Sequence, residues 1–168
     1  QALGIALRIP FAGAQQIEGD HRMSARQLGQ TLAAAALFQL RQIGFSNFVA
    51  GTMERLRDVA EEEFEKYAEH IFVEHVAADV YPEARALVQA HRRKGHTVAV
   101  VSSATRYQIE PLARDLGIDH VLCTRLEVKD GKFTGRVLHP ACYGEGKAIA
   151  AQEFAAPRGI DFRESYFY

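Results

Sequence analysis

The sequence predicts an α/β protein with a parallel sheet, because a helical first half precedes a second half in which strands and helices alternate. Residues 98–101 form a continuous apolar run of Val and Ala, which is typical of a strand that is buried on both faces. Asp130-Gly131 stands between two alternating runs and predicts a small, tight β-hairpin. Together these observations favour a sheet with helices packed on it.

The first half of the chain is predicted to be helical. Residues 24–43 are rich in Ala, Leu and Gln, which favour helix. Residues 52–77 form a second predicted helix with an apolar stripe, and its acidic run at 61–65 is expected to face water. Residues 1–20 contain proline and glycine breaks, so at most one short helix is expected there.

The second half is predicted to alternate between helices and strands, and a right-handed crossover is the expected connection between parallel strands. The predicted elements are a helix at 82–94, a strand at 98–101, a helix at 105–116, a strand at 120–124, a hairpin at 126–138, a helix at 147–156 and a strand at 165–168. We expect the two halves to meet near residues 79–81, which divides the chain into domains at 1–78 and 79–168.

Composition and charge narrow the possible partners and the compartment. The 20 Lys and Arg residues nearly balance the 21 Asp and Glu residues, whereas a nucleic-acid-binding domain usually has a basic excess. Cys123 and Cys142 lack metal-ligand spacing and are expected to be reduced thiols, which favours a cytoplasmic location. No run approaches the ~18 apolar residues of a membrane span, and no signal peptide is evident. The oligomeric state is not indicated.

Hydroxyl side chains follow the buried strand at 98–101. Ser102, Ser103 and Thr105 come at its predicted carboxyl end, where a helix begins. In open α/β sheets this edge binds ligands, and hydroxyls with free N–H groups at a helix N-terminus suit a phosphate. Ser102 is therefore a candidate phosphate ligand. The alternative is that Ser102 only caps the helix.

A lysine and two further residues are candidates near the same predicted edge. Lys147 directly follows Gly144-Glu145-Gly146 at a predicted helix start, where a cation costs a few tenths of a kcal/mol unless an anion binds there. The alternative is a solvated surface lysine. Arg106 and Tyr107 open the helix after Ser102 and could contact a substrate, although such residues are more often simply exposed. The seven histidines are scattered, and none is assigned a catalytic role.

The order of these features resembles the haloacid dehalogenase-like (HAD) hydrolase superfamily, specifically its phosphoserine phosphatase-like subfamily IB. The resemblance implies a Rossmann-like parallel sheet with an all-helical cap at residues 1–78, inserted between the first and second motifs. It implies that Ser102 matches the second motif and binds the transferring phosphoryl group. Lys147 matches the third motif and neutralises the aspartyl-phosphate, and residues 129–135 resemble the characteristic hairpin of the subfamily.

Two motifs of the family are missing from the sequence. The first is Asp-x-Asp-x-(Thr/Val), which supplies the nucleophile and the general acid/base, and the fourth is an acidic pair that holds Mg²⁺. The interpretation is a piece of a longer protein, with the nucleophile before Gln1 and the acidic pair after Tyr168. We therefore expect the α/β domain to be incomplete at both ends, with no metal ligand in this chain and no turnover by the chain alone.

The resemblance implies an intact Mg²⁺-dependent phosphatase that acts on a small phosphorylated metabolite through an aspartyl-phosphate. A phosphotransferase, a mutase or a dehalogenase on the same fold remains an alternative. So does a non-catalytic binding module that keeps the fold. The sequence does not indicate which metabolite is the substrate.

Overall fold

The computed structural model describes residues 2–5 and 51–168, and the structural statements below concern these two ranges. The strands form one sheet in the order β4-β3-β2-β1-β5, in which only the β3–β4 pair is antiparallel. The helices and strands are β1 (Ala2–Ile5), α1 (Glu61–Ile71), α2 (Pro82–Arg93), β2 (Thr97–Thr105), α3 (Arg106–Leu116), β3 (His120–Lys129), β4 (Lys132–Leu138), α4 (Glu145–Ala155) and β5 (Tyr166–Phe167).

Strand β1 corrects the expectation for the start of the chain. It lies between β2 and β5 and pairs in parallel with both, with Ile5 opposite Val100 and Gly4 opposite Phe167. The assignment of residues 1–78 to a helical cap is therefore wrong for Ala2–Ile5, because these residues hydrogen-bond to two strands of the sheet. The helix expected at 24–43 lies outside the described residues, and the division into two domains stays a prediction.

The second half follows the predicted order closely. The helices α2, α3 and α4 begin and end within two residues of their expected positions. Asp130 and Gly131 both have positive φ, 51° and 73°, as a two-residue type I′ hairpin turn requires. One difference is that β3 is a single long strand. Its first half pairs with β2 and its second half with β4, whereas the sequence suggested two separate strands.

The helix expected at 52–77 is shorter than predicted. Residues 51–53 are α-helical, and the helix is then interrupted until α1, which is flanked by 3₁₀ turns and a π-helical turn. The residues before α1 bind the hairpin instead: the Asp58 N–H donates to the Phe133 carbonyl at 2.9 Å, and the Phe133 N–H donates to the Val59 carbonyl at 3.0 Å. These backbone bonds to β4 compete with helical ones, so the helix is interrupted after residue 53 and α1 begins at Glu61.

Two apolar clusters hold the described part of the fold together. The larger one packs α2 and α3 against β2 and β3, and it includes Val88, Val100, Ile109 and Leu112. The smaller one joins α1, α3 and the hairpin through Phe64, Tyr107 and Phe133. These three rings meet edge to face in every pair, with centroids 5.3 Å apart. Within the two described ranges, no helix has the length and apolar character needed to cross a membrane.

Candidate functional site

The carboxyl end of β2 carries a bulge that holds Ser102. Val101 pairs with Leu122 and Thr105 pairs with Thr124, so three residues of β2 stand opposite one residue of β3. Such a bulge bends the strand and redirects its side chains. Ser102 is 8% exposed, and its Oγ accepts a hydrogen bond from the Ala104 N–H at 3.1 Å. The Ser102 hydroxyl proton has no acceptor in the described part of the chain.

Thr105, and not Ser102, caps the helix that follows. Thr105 is the N-cap of α3 and forms a capping box with Gln108, whose side-chain oxygen accepts from the Thr105 N–H at 3.0 Å. The capping role considered for Ser102 is therefore wrong. The hydroxyl of Ser102 takes no part in this cap and accepts only the Ala104 N–H among the described residues.

Two glycines position Lys147 at the start of α4. Gly144 has φ 53° and ψ −123°, a conformation that favours glycine. A Cβ at Gly146 would lie 1.9 Å from the Ala141 carbonyl oxygen, so the backbone can approach this closely only without a side chain. Lys147 is the third residue of α4 and is half-buried. No carboxylate among the described residues lies within ion-pair distance of its ammonium group.

Cys142 connects the environments of Ser102 and Lys147. Burial raises the pKa of the Cys142 thiol, while the Lys147 ammonium and a hydrogen bond from the Ser102 backbone act in the opposite direction. The Cys142 N–H donates to Thr124 Oγ1 at 3.3 Å, and Thr124 also bonds the bulge of Ser102, so the loop that leads to Lys147 lies against this bulge. Ser103 is also in this region, where its carbonyl accepts a hydrogen bond from the Thr124 hydroxyl at 2.9 Å. The structure thus brings Ser102, Ser103 and Lys147 to the same edge of the sheet, here called the β2 edge.

Arg106 and Tyr107 are occupied by a different part of the molecule. Arg106 Nη2 lies 2.8 Å from Glu61 Oε1 and 2.5 Å from Glu65 Oε1, and the Tyr107 hydroxyl donates to Glu61 Oε1 at 2.7 Å. These four residues form what is called here the α1–α3 contact. These bonds engage Arg106 Nη2 and the Tyr107 hydroxyl, and the role of both residues in substrate binding stays a prediction. The expectation that the acidic run faces water is wrong for Glu61, which is half-buried against α3, whereas Glu65 is exposed.

The α1–α3 contact shifts the ionisation of its tyrosine. Tyr107 is 4% exposed, and burial, followed by the hydrogen bond to Glu61, raises the pKa of its hydroxyl to about 12. Its proton is therefore held in the native state. This contact has no local signal in the sequence, because Glu61 is 45 positions from Arg106 and 46 positions from Tyr107.

The described residues offer no cluster of acidic groups for a metal ion and no carboxylate on β1 as a nucleophile. Because β1 and β2 are parallel neighbours, the carboxyl end of β1 lies at the β2 edge. The sequence continues there with Ala6-Leu7, and the first acidic residue of the chain is Glu18. Among residues 2–5 and 51–168, no group of three His, Cys, Asp or Glu side chains could hold a metal ion. The described residues therefore do not fit a Mg²⁺ site.

Sequence reasoning missed Thr124 and Cys142. Thr124 stands in β3 between Cys123 and Arg125, and Cys142 stands in the loop before α4. The one signal in the sequence was that Thr124 follows the apolar run Val121-Leu122-Cys123. Its partners depend on the strand order and could not be read from the sequence.

Comparison with known protein families gives a match over almost the whole chain. The model of the family described as haloacid dehalogenase-like hydrolase matches residues 6–168. Among curated proteins, the chain is 45% identical over 89 residues to a probable phosphatase of Mycobacterium tuberculosis, an alignment that covers 53% of this chain and 31% of that protein. It is 32% identical over 155 residues to phosphoserine phosphatase SerB1 of the same organism, which covers 88% of this chain and 49% of the relative.

A solved structure shares the fold. A protein of unknown function from Bordetella pertussis Tohama I matches with a TM-score of 0.80 and 19% identity, over 99% of this chain and 80% of that chain. The two curated relatives are much longer than the part matched here, since the alignments span 31% and 49% of their lengths.

Proposed function

Because the chain belongs to the haloacid dehalogenase-like hydrolase family, we propose that it contributes the phosphate-binding part of a phosphatase for a small phosphorylated metabolite. The family and the α/β fold of HAD type agree with what the order of motifs predicted. Relatives named as a probable phosphatase and a phosphoserine phosphatase support a phosphoric monoester as the substrate class. Two reduced thiols are consistent with the proposed cytoplasmic location.

The observation that carries this proposal is the pair of unsatisfied donors at the β2 edge. The Ser102 hydroxyl accepts from the Ala104 N–H, so its proton remains available to a phosphate oxygen. The half-buried Lys147 ammonium has no ion-pair partner among the described residues. A phosphate dianion would take a hydrogen bond from Ser102 and a charge-assisted one from Lys147, and charge-assisted bonds are roughly twice as strong as neutral ones. Ser103 would supply a further hydroxyl.

Each of these groups has a task in phosphoryl transfer. Ser102 and Ser103 would orient the phosphoryl oxygens, and Lys147 would offset the charge that builds on them in the transition state. The Mg²⁺ and the aspartyl nucleophile implied by the family have no matching residues in the described part of the chain. The proposed roles are therefore limited to binding and to charge stabilisation, and magnesium dependence stays a prediction.

One observation favours a second candidate function, a phosphate-binding module without hydrolysis. Strand β1 occupies the position next to β2, and the chain continues from it without an acidic residue until Glu18. A phosphoryl group held by Ser102 and Lys147 would then meet no carboxylate from β1. Both candidates use the same binding groups, and they differ only in turnover.

The proposal is tested by titrating the chain with inorganic phosphate in a calorimeter. Ser102→Ala and Lys147→Ala should each weaken binding by roughly tenfold or more, since hydrogen bonds to charged groups contribute about 1.5–3 kcal/mol. Lys132→Ala, which removes an exposed lysine on the hairpin, is the matched control and should bind as the unchanged chain does. If the unchanged chain and its three variants bind phosphate with equal affinity, Ser102 and Lys147 do not form a phosphate site.

A second experiment separates the two candidate functions. Phosphoserine and p-nitrophenyl phosphate are incubated with the chain, with and without added Mg²⁺, and released phosphate is measured. Binding without release supports the module, and Mg²⁺-dependent release that Lys147→Ala abolishes supports the phosphatase. If Lys147→Ala still releases phosphate at the rate of the unchanged chain, Lys147 takes no part in the reaction.

A further inference from the structure

One buried hydroxyl connects the two segments that form the β2 edge. Thr124 lies in β3 and is 1% exposed. Its Oγ1 donates a hydrogen bond to the Ser103 carbonyl at 2.9 Å and accepts one from the Cys142 N–H at 3.3 Å. The first bond holds the bulge that contains Ser102. The second holds the loop that leads to Lys147.

Both partners of Thr124 are backbone groups in irregular segments. Ser103 lies in the bulge, where the register between β2 and β3 is interrupted and ladder pairing is lost. Cys142 lies in the loop between β4 and α4, which is attached to β3 a second time where the Cys142 thiol donates to the Leu122 carbonyl at 3.5 Å. The bulge and the loop lack the backbone hydrogen bonds of a regular strand at these positions. The Thr124 side chain supplies hydrogen bonds to both of them.

The hydroxyl is not needed by β3 itself. Residues two positions before and after Thr124 on the same face of the strand are Leu122 and Leu126, so an apolar side chain would fit the pattern of this face. Neither bond of the hydroxyl goes to β3. A polar group in a fully buried position costs free energy unless it is bonded, and here both bonds serve the segments of Ser102 and Lys147.

We propose that Thr124 is a positioning residue for phosphate recognition, whose hydroxyl sets the separation between Ser102 and Lys147. This inference rests on the proposed function, because it assumes that the two residues bind one phosphate together. Thr124 itself does not contact the ligand. Loss of its hydroxyl would leave the bulge and the loop free to shift independently, and small displacements of binding groups are costly in preorganised sites.

The test replaces Thr124 by residues of matched shape. Thr124→Val removes the hydroxyl and keeps the volume, and it should weaken the binding of inorganic phosphate roughly tenfold, the usual order for one lost buried interaction. Thr124→Ser keeps the hydroxyl and should restore most of the affinity. Thr134→Val is the control, because the Thr134 hydroxyl donates to Glu127 within the hairpin, at 2.6 Å from Oε2. It should leave phosphate binding unchanged.

A double variant distinguishes positioning from a general loss of structure. If Thr124 acts through Lys147, Thr124→Val should weaken phosphate binding much less in the Lys147→Ala background than in the unchanged chain. A loss of equal size in both backgrounds would overturn the inference. If the valine variant does not fold, Thr124→Ala and Thr124→Ser supply the same comparison, with circular dichroism as the check on folding.

The outcomes separate this inference from the proposed function. If Ser102→Ala and Lys147→Ala weaken phosphate binding and Thr124→Val does not, the inference is wrong and the site stands. If the unchanged chain binds no phosphate, the proposed function is wrong and the inference falls with it. Weaker binding in Thr124→Val together with rescue by Thr124→Ser supports both.

Discussion

The β2 edge and the α1–α3 contact are both rich in polar groups, but they use them differently. In the α1–α3 contact, Arg106 binds two carboxylates and the Tyr107 hydroxyl donates to one of them. At the β2 edge, the Ser102 proton and the Lys147 ammonium have no such partners among the described residues. Hydrogen bonds between side chains within the protein stabilise the fold, whereas donors without a protein partner near a helix N-terminus are available to an anion.

The difference also changes which of the five predicted site residues belong together. Ser102 and Lys147 share the surroundings of Cys142. Arg106 and Tyr107 lie above the ring cluster of Phe64 and Phe133, where they join α1 to α3. Substitutions in the α1–α3 contact should therefore change the stability of the fold, whereas substitutions at the β2 edge should change phosphate binding.

The largest effect on stability is expected for Phe133→Ala. Phe133 is among the largest fully buried side chains and packs edge to face against Phe64 and Tyr107. Its removal should lower the free energy of unfolding by about 3–5 kcal/mol, measured by urea denaturation. Leu138→Ala at the exposed end of the same strand is the control, with an expected change within about 0.5 kcal/mol. The folded variant should bind phosphate as before, and a matching loss of affinity would mean that the two regions are not independent.

A smaller loss is expected for Tyr107→Phe, which keeps the ring and removes the hydrogen bond to Glu61. The free energy of unfolding should fall by about 1 kcal/mol at neutral pH, with phosphate affinity unchanged. If phosphate or phosphoserine binding falls instead, Tyr107 contacts the ligand, as the sequence suggested. In that case the α1–α3 contact must open when the ligand binds.

The raised pKa of Tyr107 gives this prediction a pH dependence. The pKa of its hydroxyl is about 12 in the native state, against an ordinary value of 10.0. Between these values the native protein keeps a proton that the unfolded chain releases, so stability is present below about pH 10 and is lost as the pH rises towards 12. Urea denaturation at about pH 9 and about pH 11 should show a steeper loss in the unchanged chain than in Tyr107→Phe. Equal losses would contradict the assigned pKa.

Local sequence signals were sufficient for most of the second half. The turn at Asp130-Gly131, the capped start of α3 and the glycines before Lys147 depend on residues within a few positions of one another. Local position made Ser102 and Lys147 candidates for an anion site, and the resemblance to a family added their specific roles in phosphoryl transfer. The structure then placed both residues around the buried Cys142.

Features that depend on distant partners were not predicted. Ala2–Ile5 is a strand because β2 and β5 lie on either side of it, and a short apolar run does not reveal this. The start of α1 depends on backbone bonds to Phe133, more than seventy positions away. Glu61 looked like a solvated residue because its partner Arg106 is 45 positions away in the sequence. At such positions, contacts with residues distant in the sequence override the conformation that the local sequence favours.

Arg106→Gln should have a modest effect on stability. The Arg106 side chain is 37% exposed, and partly exposed ion pairs contribute about 0.2–1 kcal/mol, less at high salt. Urea denaturation at low and at high salt should therefore show a small difference that salt reduces. Arg136→Gln is a suitable control because the Arg136 guanidinium is 73% exposed and 4.0 Å from Glu127. A large loss of phosphate affinity in Arg106→Gln would indicate that Arg106 binds phosphate together with the residues of the β2 edge.

Lys147→Ala should show the smallest effect on stability, and in the opposite direction. Lys147 lies in the first turn of α4, where the helix dipole disfavours a cation, so without phosphate its removal should raise the free energy of unfolding by a few tenths of a kcal/mol. Glu145→Gln in the same turn is the matched control and should lower it by a similar amount. Added phosphate at 100 times its dissociation constant should stabilise the unchanged chain by about 2.7 kcal/mol. The Lys147→Ala variant should gain much less stability from added phosphate, because it lacks the ammonium group that binds phosphate. Lys147 therefore stabilises the fold only when phosphate is bound.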